Sequence, residues 1–191
     1  MTLPSKRRQY AAGPLVSLCE FLDEDYPHFY RAWQDPETQR NFNSKRGAEP
    51  YQAFHALFTD PQRPPQRFTA TIVSSTDQIQ VGRISLAPAH MEPDLGIWIY
   101  PGHRGKGYGS EAVQLAADYI FNKLGLDYIV AGIYAHNQAS IKVFNKVGFV
   151  AAPSLDEVEE SAFGEGPLTQ LGFRLDKPAQ PRPAPKSPER I

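Results

Sequence analysis

Between His103 and Ala112 the chain reads His-Arg-Gly-Lys-Gly-Tyr-Gly-Ser-Glu-Ala, three glycines interleaved with the cations Arg104 and Lys106. An apolar, strand-like run, Leu95-Gly96-Ile97-Trp98-Ile99-Tyr100, precedes it, and Ala112, Val113, Leu115, Ala116, Tyr119 and Ile120 follow at helical spacing. A strand, a glycine-rich turn and a helix start together make a cradle for an anion. Glycines let the backbone adopt positive φ and come close to a ligand, while the free N–H groups and dipole of the helix end favour phosphate. The group this chemistry suits carries a pyrophosphate.

The common nucleotide motifs do not fit. From Gly102 the second glycine of a Walker loop is Gly107, but Tyr108 stands where lysine is required; from Gly105 and Gly107 the third position of a Rossmann fingerprint is Ser110. The pattern that fits is R-x-x-G-x-G, formed by Arg104, Gly107 and Gly109. It resembles the acyl-CoA pyrophosphate loop of the GNAT acetyltransferase superfamily.

A second block lies downstream. Asn137-Gln138-Ala139-Ser140 leads through Ile141, Phe144 and Val147 to Gly148-Phe149, and Tyr128 to Tyr134 is rich in β-formers ahead of it. From the residues alone this is a helix capped by Asn137, with one apolar stripe and a Gly148 C-cap, set between two strands. It is also similar to the family's N-x-x-[AS]…G-F signature. The two blocks occur in the family's order, so the chain is identified as a member of the GNAT superfamily, most like its ribosomal-protein N-acetyltransferase-like branch. The resemblance runs from about Asp94 to Phe149.

The resemblance implies an α/β (α+β) acyl-CoA N-acyltransferase fold: a mixed, mostly antiparallel sheet with splayed central strands, flanked by helices. It implies acetyl-CoA as co-substrate, with no metal, and acetyl transfer to a primary amine by direct attack on the thioester. The amine is that of a protein N-terminus or of a small molecule. Ile97, Trp98 and Ile99 would offer backbone groups to the pantetheine arm and the thioester oxygen. Arg104, Gly105, Lys106, Gly107, Tyr108, Gly109 and Ser110 would hold the pyrophosphate, mostly through main-chain N–H groups. The side chains of Arg104 and Lys106 either add charge there or are solvated. Asn137 would touch the cofactor arm, a role compatible with capping its helix.

One departure stands out. Many family members carry a tyrosine in this helix that protonates the departing thiolate, and here that position is Phe144. Ser140, one turn earlier, matches the serine of the ribosomal branch and is the candidate proton donor and cofactor contact; the plain alternative is a helix-face serine. For the base, Glu159 falls where the same branch places a water-activating glutamate, and Asp94 competes with it. The demand on a base is set by the acceptor: at pH 7 an α-amine costs roughly 1.4 kcal/mol to deprotonate and a lysine-like amine about 4.6 kcal/mol. A second function class, a non-catalytic acyl-CoA-binding sensor, is kept open by Phe144.

The elements that must position these residues are legible in outline. Leu15 to Phe21 reads as a strand, Asp23-Glu24-Asp25 as the acidic start of a helix bearing Tyr26, Phe29, Tyr30 and Trp33, and Tyr51 to Phe58 as a further helix after the break at Asp35-Pro36. His55 reads as a satisfied structural histidine. Phe68 to Val73 and Ile79 to Leu86 form a hairpin signal, and Leu168 to Leu175 a closing strand. Acceptor choice falls to the connection Gln39 to Phe42 and Asn43 and to the acidic segment Asp156 to Glu160. The expected division is a flexible N-terminus over 1–12, one GNAT N-acetyltransferase domain over 13–176 and a proline-rich disordered tail over 177–191.

Composition bounds the partners. With 20 Lys and Arg against 21 Asp and Glu, the net charge of −1 supplies no basic excess for nucleic acid, and Lys6-Arg7-Arg8 reads as a solvated tail. A single cysteine, Cys19, excludes an internal disulfide and reads as a buried small hydrophobe. No apolar run suggests a membrane span or signal peptide, so a cytoplasmic monomer or homodimer is expected.

Overall fold

Five strands run in sequence order across one sheet of the computed structural model, which describes residues 7–179. They are β1 (Gln9–Ala12), β2 (Val16–Glu20), β3 (Gln66–Ser74), β4 (Gln80–Pro88) and β5 (Leu95–Ile99), each antiparallel to its neighbour. Between β2 and β3 the chain forms α1 (Tyr26–Trp33), α2 (Pro36–Asn41) and α3 (Tyr51–Thr59). After β5 come α4 (Tyr108–Tyr119), β6 (Tyr128–Tyr134), α5 (Gln138–Val147), β7 (Val150–Ala151), β8 (Glu157–Glu160) and β9 (Pro167–Asp176). In this second sheet β9 pairs antiparallel with β6, β7 and β8.

The sheets meet at one point. Asp94 and Val130 form a parallel bridge, and Val130 N–H donates to Pro93 O at 3.1 Å. Beyond that bridge β5 and β6 share no ladder, so two strand edges diverge with their backbone groups free for another partner. The splayed sheet expected from the family resemblance is present.

Strand alternation sorts β5 between two cores. Leu95, Ile97 and Ile99 pack with the main core, which includes Val16, Leu18, Ile72, Ile84, Val113 and Ala116. Trp98 and Tyr100 face the other way, into an aromatic cluster with Phe29, Trp33 and Phe54 beneath α1 and α3. The fully buried members, such as Leu18, Ile72, Phe29 and Phe54, each contribute about 1.5–3 kcal/mol, and the partly buried Ile97, Trp98 and Ile99 less. Gly82 on β4 permits the close register: a Cβ there would lie 2.3 Å from the Trp98 carbonyl oxygen.

The structure revises the reading of the N-terminal region. Residues 1–6 of the expected flexible segment lie outside the described residues, but Gln9–Ala12 is a strand paired with β2. Arg7 is not solvated: its guanidinium is 3% exposed and meets Asp25 at 2.6 Å and Glu24 at 2.5 Å. Asp25, fully buried, also accepts from Thr71 Oγ1, Gln80 Nε2 and Leu22 N–H. It is therefore a core acceptor rather than a charge serving the α1 dipole, and a short 3-10 turn, Asp23–Asp25, precedes the helix. Cys19 is only half-buried, because alternation along β2 turns Val16 and Leu18 inward instead; burial still pushes its thiol pKa up. His55 is satisfied by Asp23 at 2.8 Å. At the other end, Lys177 is held by Asp127 O and Phe121 O, and residues 180–191 of the expected tail lie outside the described residues.

Candidate functional site

A cleft of about 340 Å³ opens where β5 and β6 part, and it continues along the start of α4 and the inner face of α5. Its glycine-rich rim follows from backbone geometry. Gly105 and Gly107 have φ of +75° and +84°, a region that side chains with a Cβ rarely enter. Gly107 is the N-cap of α4, and the first intrahelical bond runs from Glu111 N–H to Gly107 O. The N–H groups of Tyr108, Gly109 and Ser110 therefore have no partner within the helix, and all three residues line the cleft. Gly109 is buried against Ile99 and Val143, which seats the helix end directly on β5 and α5.

The predicted residues separate into those the cleft gathers and those it does not. Ile97, Trp98, Ile99, Arg104, Gly105, Gly107, Tyr108, Gly109, Ser110, Asn137 and Ser140 all line it. Lys106 is exposed and does not line the cleft. Arg104 is committed elsewhere: its guanidinium donates to Asp35 Oδ2 at 2.9 Å, Thr38 Oγ1 at 2.8 Å, Ile99 O at 3.2 Å and Glu37 Oε2. Two carboxylates pair with it, and these contacts clamp α2 onto the loop. Burial opposes ionisation of Asp35, but the Thr38 N–H, the Arg104 hydrogen bond and the Thr38 hydroxyl outweigh it and hold its carboxyl below the usual range.

Asn137 caps α5 by accepting Ser140 N–H at 3.1 Å, and it lines the cleft. Ser140 is half-buried on the cleft face. Phe144 is 2% exposed and lines the same wall, a full turn deeper.

Glu159 and Asp94 do not line the cleft. Asp94 sits at the bridge that closes the splay, where it keeps an exposed edge while its carboxylate accepts Gly132 N–H at 3.4 Å. Desolvation by the surrounding chain, reinforced by Glu157, pushes its pKa up. Glu159 lies on β8 and meets the cleft through a neighbour: Tyr134, at the end of β6, donates its hydroxyl proton to Glu159 Oε1 and itself lines the cleft. Asn43 donates to the same oxygen at 3.1 Å and to Glu160 O at 3.0 Å, while accepting Ala162 N–H at 2.7 Å.

Several lining residues were not singled out in the sequence. Tyr134 carried a signal, since it ends a strand three residues before Asn137. Glu37 and Thr38 carried none, because only the Arg104 clamp brings that part of α2 to the cleft; Asn41 and Phe42, read as part of the acceptor-choosing connection, line it as well, with Phe42 stacked on Trp98 (4.6 Å, 13°). Behind Trp98, Arg83 is enclosed by Phe21, Phe29, Phe58 and the indole itself. Burial lowers its pKa to about 10, so it remains a cation at neutral pH and fixes the indole from below.

The family model described as "Acetyltransferase (GNAT) domain" matches residues 16–150. The chain belongs to the GNAT acetyltransferase family. It is 29% identical over 147 residues to the uncharacterized N-acetyltransferase p20 of Bacillus licheniformis, covering 72% of this chain and 80% of that protein. It is 35% identical over 82 residues to the probable N-acetyltransferase YjcK of Bacillus subtilis (41% of this chain) and 31% over 86 residues to the L-amino acid N-acyltransferase MnaT of Escherichia coli (44%). Those two matches span only about half of the relatives' own lengths, 45% and 49%. The fold is shared with the spermidine N-acetyltransferase of Vibrio cholerae, solved with CoA and spermine: TM-score 0.73 at 18% identity over 86% of this chain and 96% of that one. An acetyltransferase of Bacillus anthracis superposes with a TM-score of 0.71 at 17% identity over 88% and 98%. Among the described residues no helix is long and apolar enough to cross a membrane, and no three His, Cys, Asp or Glu side chains gather as a metal site.

Proposed function

We propose that this chain is an acetyl-CoA-dependent N-acetyltransferase that acts on a primary amine, either a protein N-terminus or a small-molecule amine. The observation that carries the reading is one continuous cleft joining three unpartnered N–H groups at the start of α4 to the free edges of β5 and β6. A diphosphate suits the first feature and an amide-bearing arm the second. The positive-φ backbone at Gly105 and Gly107 leaves the rim without side chains where such a ligand must approach.

In this reading the N–H groups from Gly105 to Ser110 hold the pyrophosphate, with Lys106 contributing only its backbone. Ile97, Trp98 and Ile99 present main-chain groups to the arm, and an N–H from this segment polarises the thioester oxygen. Asn137 fixes the arm from α5. Ser140 lies one helical turn from Phe144 on the cleft face and supplies the proton that the Phe144 ring cannot. A thiol of ordinary pKa, about 8.5, needs no stronger acid. Glu159 is the base favoured here, because it communicates with the cleft through Tyr134, whereas Asp94 lies at the closed end of the splay.

Release of free thiol from acetyl-CoA in the presence of a panel of amines tests the proposal. Turnover with at least one primary amine, reduced in Ser140→Ala and Glu159→Gln, is the expected outcome. Tight CoA binding without turnover on any acceptor would instead favour the sensor reading, for which the buried Phe144 in place of a proton donor is the supporting feature.

A further inference from the structure

Within the second sheet, the Tyr134 hydroxyl links the cleft wall to Glu159, which lies outside the cleft. This hydrogen bond joins residues from β6 and β8, and only the tyrosine reaches the cleft wall, where it is 8% exposed. A carboxylate is acceptor-only, so the single phenolic proton of Tyr134 is directed at Glu159. The phenol oxygen then has its remaining lone pair for a donor in the cleft. A substrate ammonium is such a donor.

The pair is held in place from outside. Asn43 shares Glu159 Oε1 and ties the neighbouring chain through Glu160 O and Ala162 N–H. Its φ of +44° is unusual for a residue with a Cβ, though asparagine tolerates it, and that backbone turn aims the amide at Glu159. On the other side His136 stacks parallel on the Tyr134 ring at 5.7 Å. Charged groups on the same and adjoining segments are Glu157 and Glu160 on β8, Lys45 over the Phe163 ring, and the Arg40–Glu165 pair at 2.9 Å.

We infer that Tyr134 is a catalytic residue that relays the acceptor's proton to Glu159, with Asn43 as the positioning residue. The inference rests on the acetyltransferase reading above. In the step, an N–H bond of the bound ammonium breaks and its proton passes to the Tyr134 oxygen as the Tyr134 O–H proton passes to Glu159 Oε1. The products are a neutral amine, a phenol restored to its starting form and a neutral carboxylic acid. The freed nitrogen lone pair is then available to attack the acetyl carbonyl carbon. Glu159 acts without entering the cleft, so the nucleophile need not lose its proton to bulk water.

The test compares the full-length chain with Tyr134→Phe, Glu159→Gln and Asn43→Ala, using whichever primary amine of the panel gives turnover. At pH 7 Tyr134→Phe should lower kcat about 100-fold, within the range for loss of general acid–base assistance, and leave KM within about threefold. The pH profile separates a relay from a packing role. Wild-type kcat/KM should stay level well below the acceptor's own pKa, whereas that of Tyr134→Phe should fall about tenfold per pH unit there, because only free amine reacts. A fluorinated amine that is neutral at pH 7 should restore Tyr134→Phe to within a few-fold of wild type. Asn43→Ala should show a smaller kcat loss with the same change of profile. An unchanged profile in Tyr134→Phe, or no rescue by the neutral amine, overturns the relay while the acetyltransferase reading stands. Absence of turnover by the wild type on every amine overturns that reading, and the relay with it.

Discussion

The two ends of the cleft are built on different principles. The cofactor end, from β5 through the glycine loop to α5, is a main-chain device whose positive-φ glycines, unpartnered N–H groups and divergent strand edges all belong to a continuous stretch of about 55 residues. The end proposed to take the acceptor is a side-chain arrangement assembled from distant segments. Asn43 reaches Glu159 and Glu160 across more than 110 positions, Arg104 reaches Asp35 and Glu37 across nearly 70, and Arg40 pairs with Glu165. Backbone geometry constrains residue type at fixed spacing. Side-chain contacts between loops constrain only the pair that meets.

The largest expected effect breaks the main-chain end. In Gly107→Val a β-branched residue must occupy φ of +84°, at a cost of about 1–3 kcal/mol, with its Cβ 3.2 Å from Leu15 Cδ1. Affinity for CoA measured by calorimetry should fall at least about 100-fold, because relaxing that strain moves the N–H groups that form the rim. Micromolar affinity in the variant would show that the loop does not bind through its backbone.

Arg104→Ala sharpens the contrast from the other side. If Arg104 serves the clamp to α2, its loss should raise KM for the amine about tenfold, as the Phe42 wall loosens, and leave CoA affinity within about threefold. The motif R-x-x-G-x-G invites the opposite expectation, that the guanidinium grips phosphate. A CoA affinity loss comparable to that of Gly107→Val would restore that expectation and remove the clamp.

These differences explain what the sequence reading could reach. The strand–loop–helix unit, the Asn137 cap and the Gly148 C-cap were legible because period, glycine placement and capping chemistry are local, whereas the splay was implied only by the family resemblance. Glu159 was picked out by the family resemblance, but its partner Tyr134 was not, because no local rule links the end of β6 to β8. The same reason hid the Arg7–Asp25 pair: a basic residue near the N-terminus and an acid at a helix start each have a sufficient local explanation, and both explanations were wrong. The stacking of Phe42 on Trp98 was hidden in the same way: Phe42 read as part of the acceptor-choosing connection and Trp98 as a backbone contact, and nothing local joins the two.

A smaller effect tests the clamp through pH. The folded pKa of Asp35 lies below the ordinary value, so its carboxylate contributes stability that is fully present above the unfolded pKa, about 3.9, and is lost as pH falls through the folded value. Asp35→Asn preserves an N-cap at α2 and removes only the charge. The difference in thermal midpoint between wild type and Asp35→Asn should be constant from pH 7 to about 5 and shrink below about 4. A difference that persists at pH 3 would assign the effect to packing.

The central claim is that the start of α4 grips a diphosphate through its own backbone. Titrating the wild-type chain with CoA and, separately, with pantetheine, which has the arm but no pyrophosphate or nucleotide, tests it most directly. Two hydrogen bonds to a charged oxygen at about 1.5 kcal/mol each predict a CoA affinity at least about 100-fold above that of pantetheine. Equal affinities, or no heat with CoA, would contradict it.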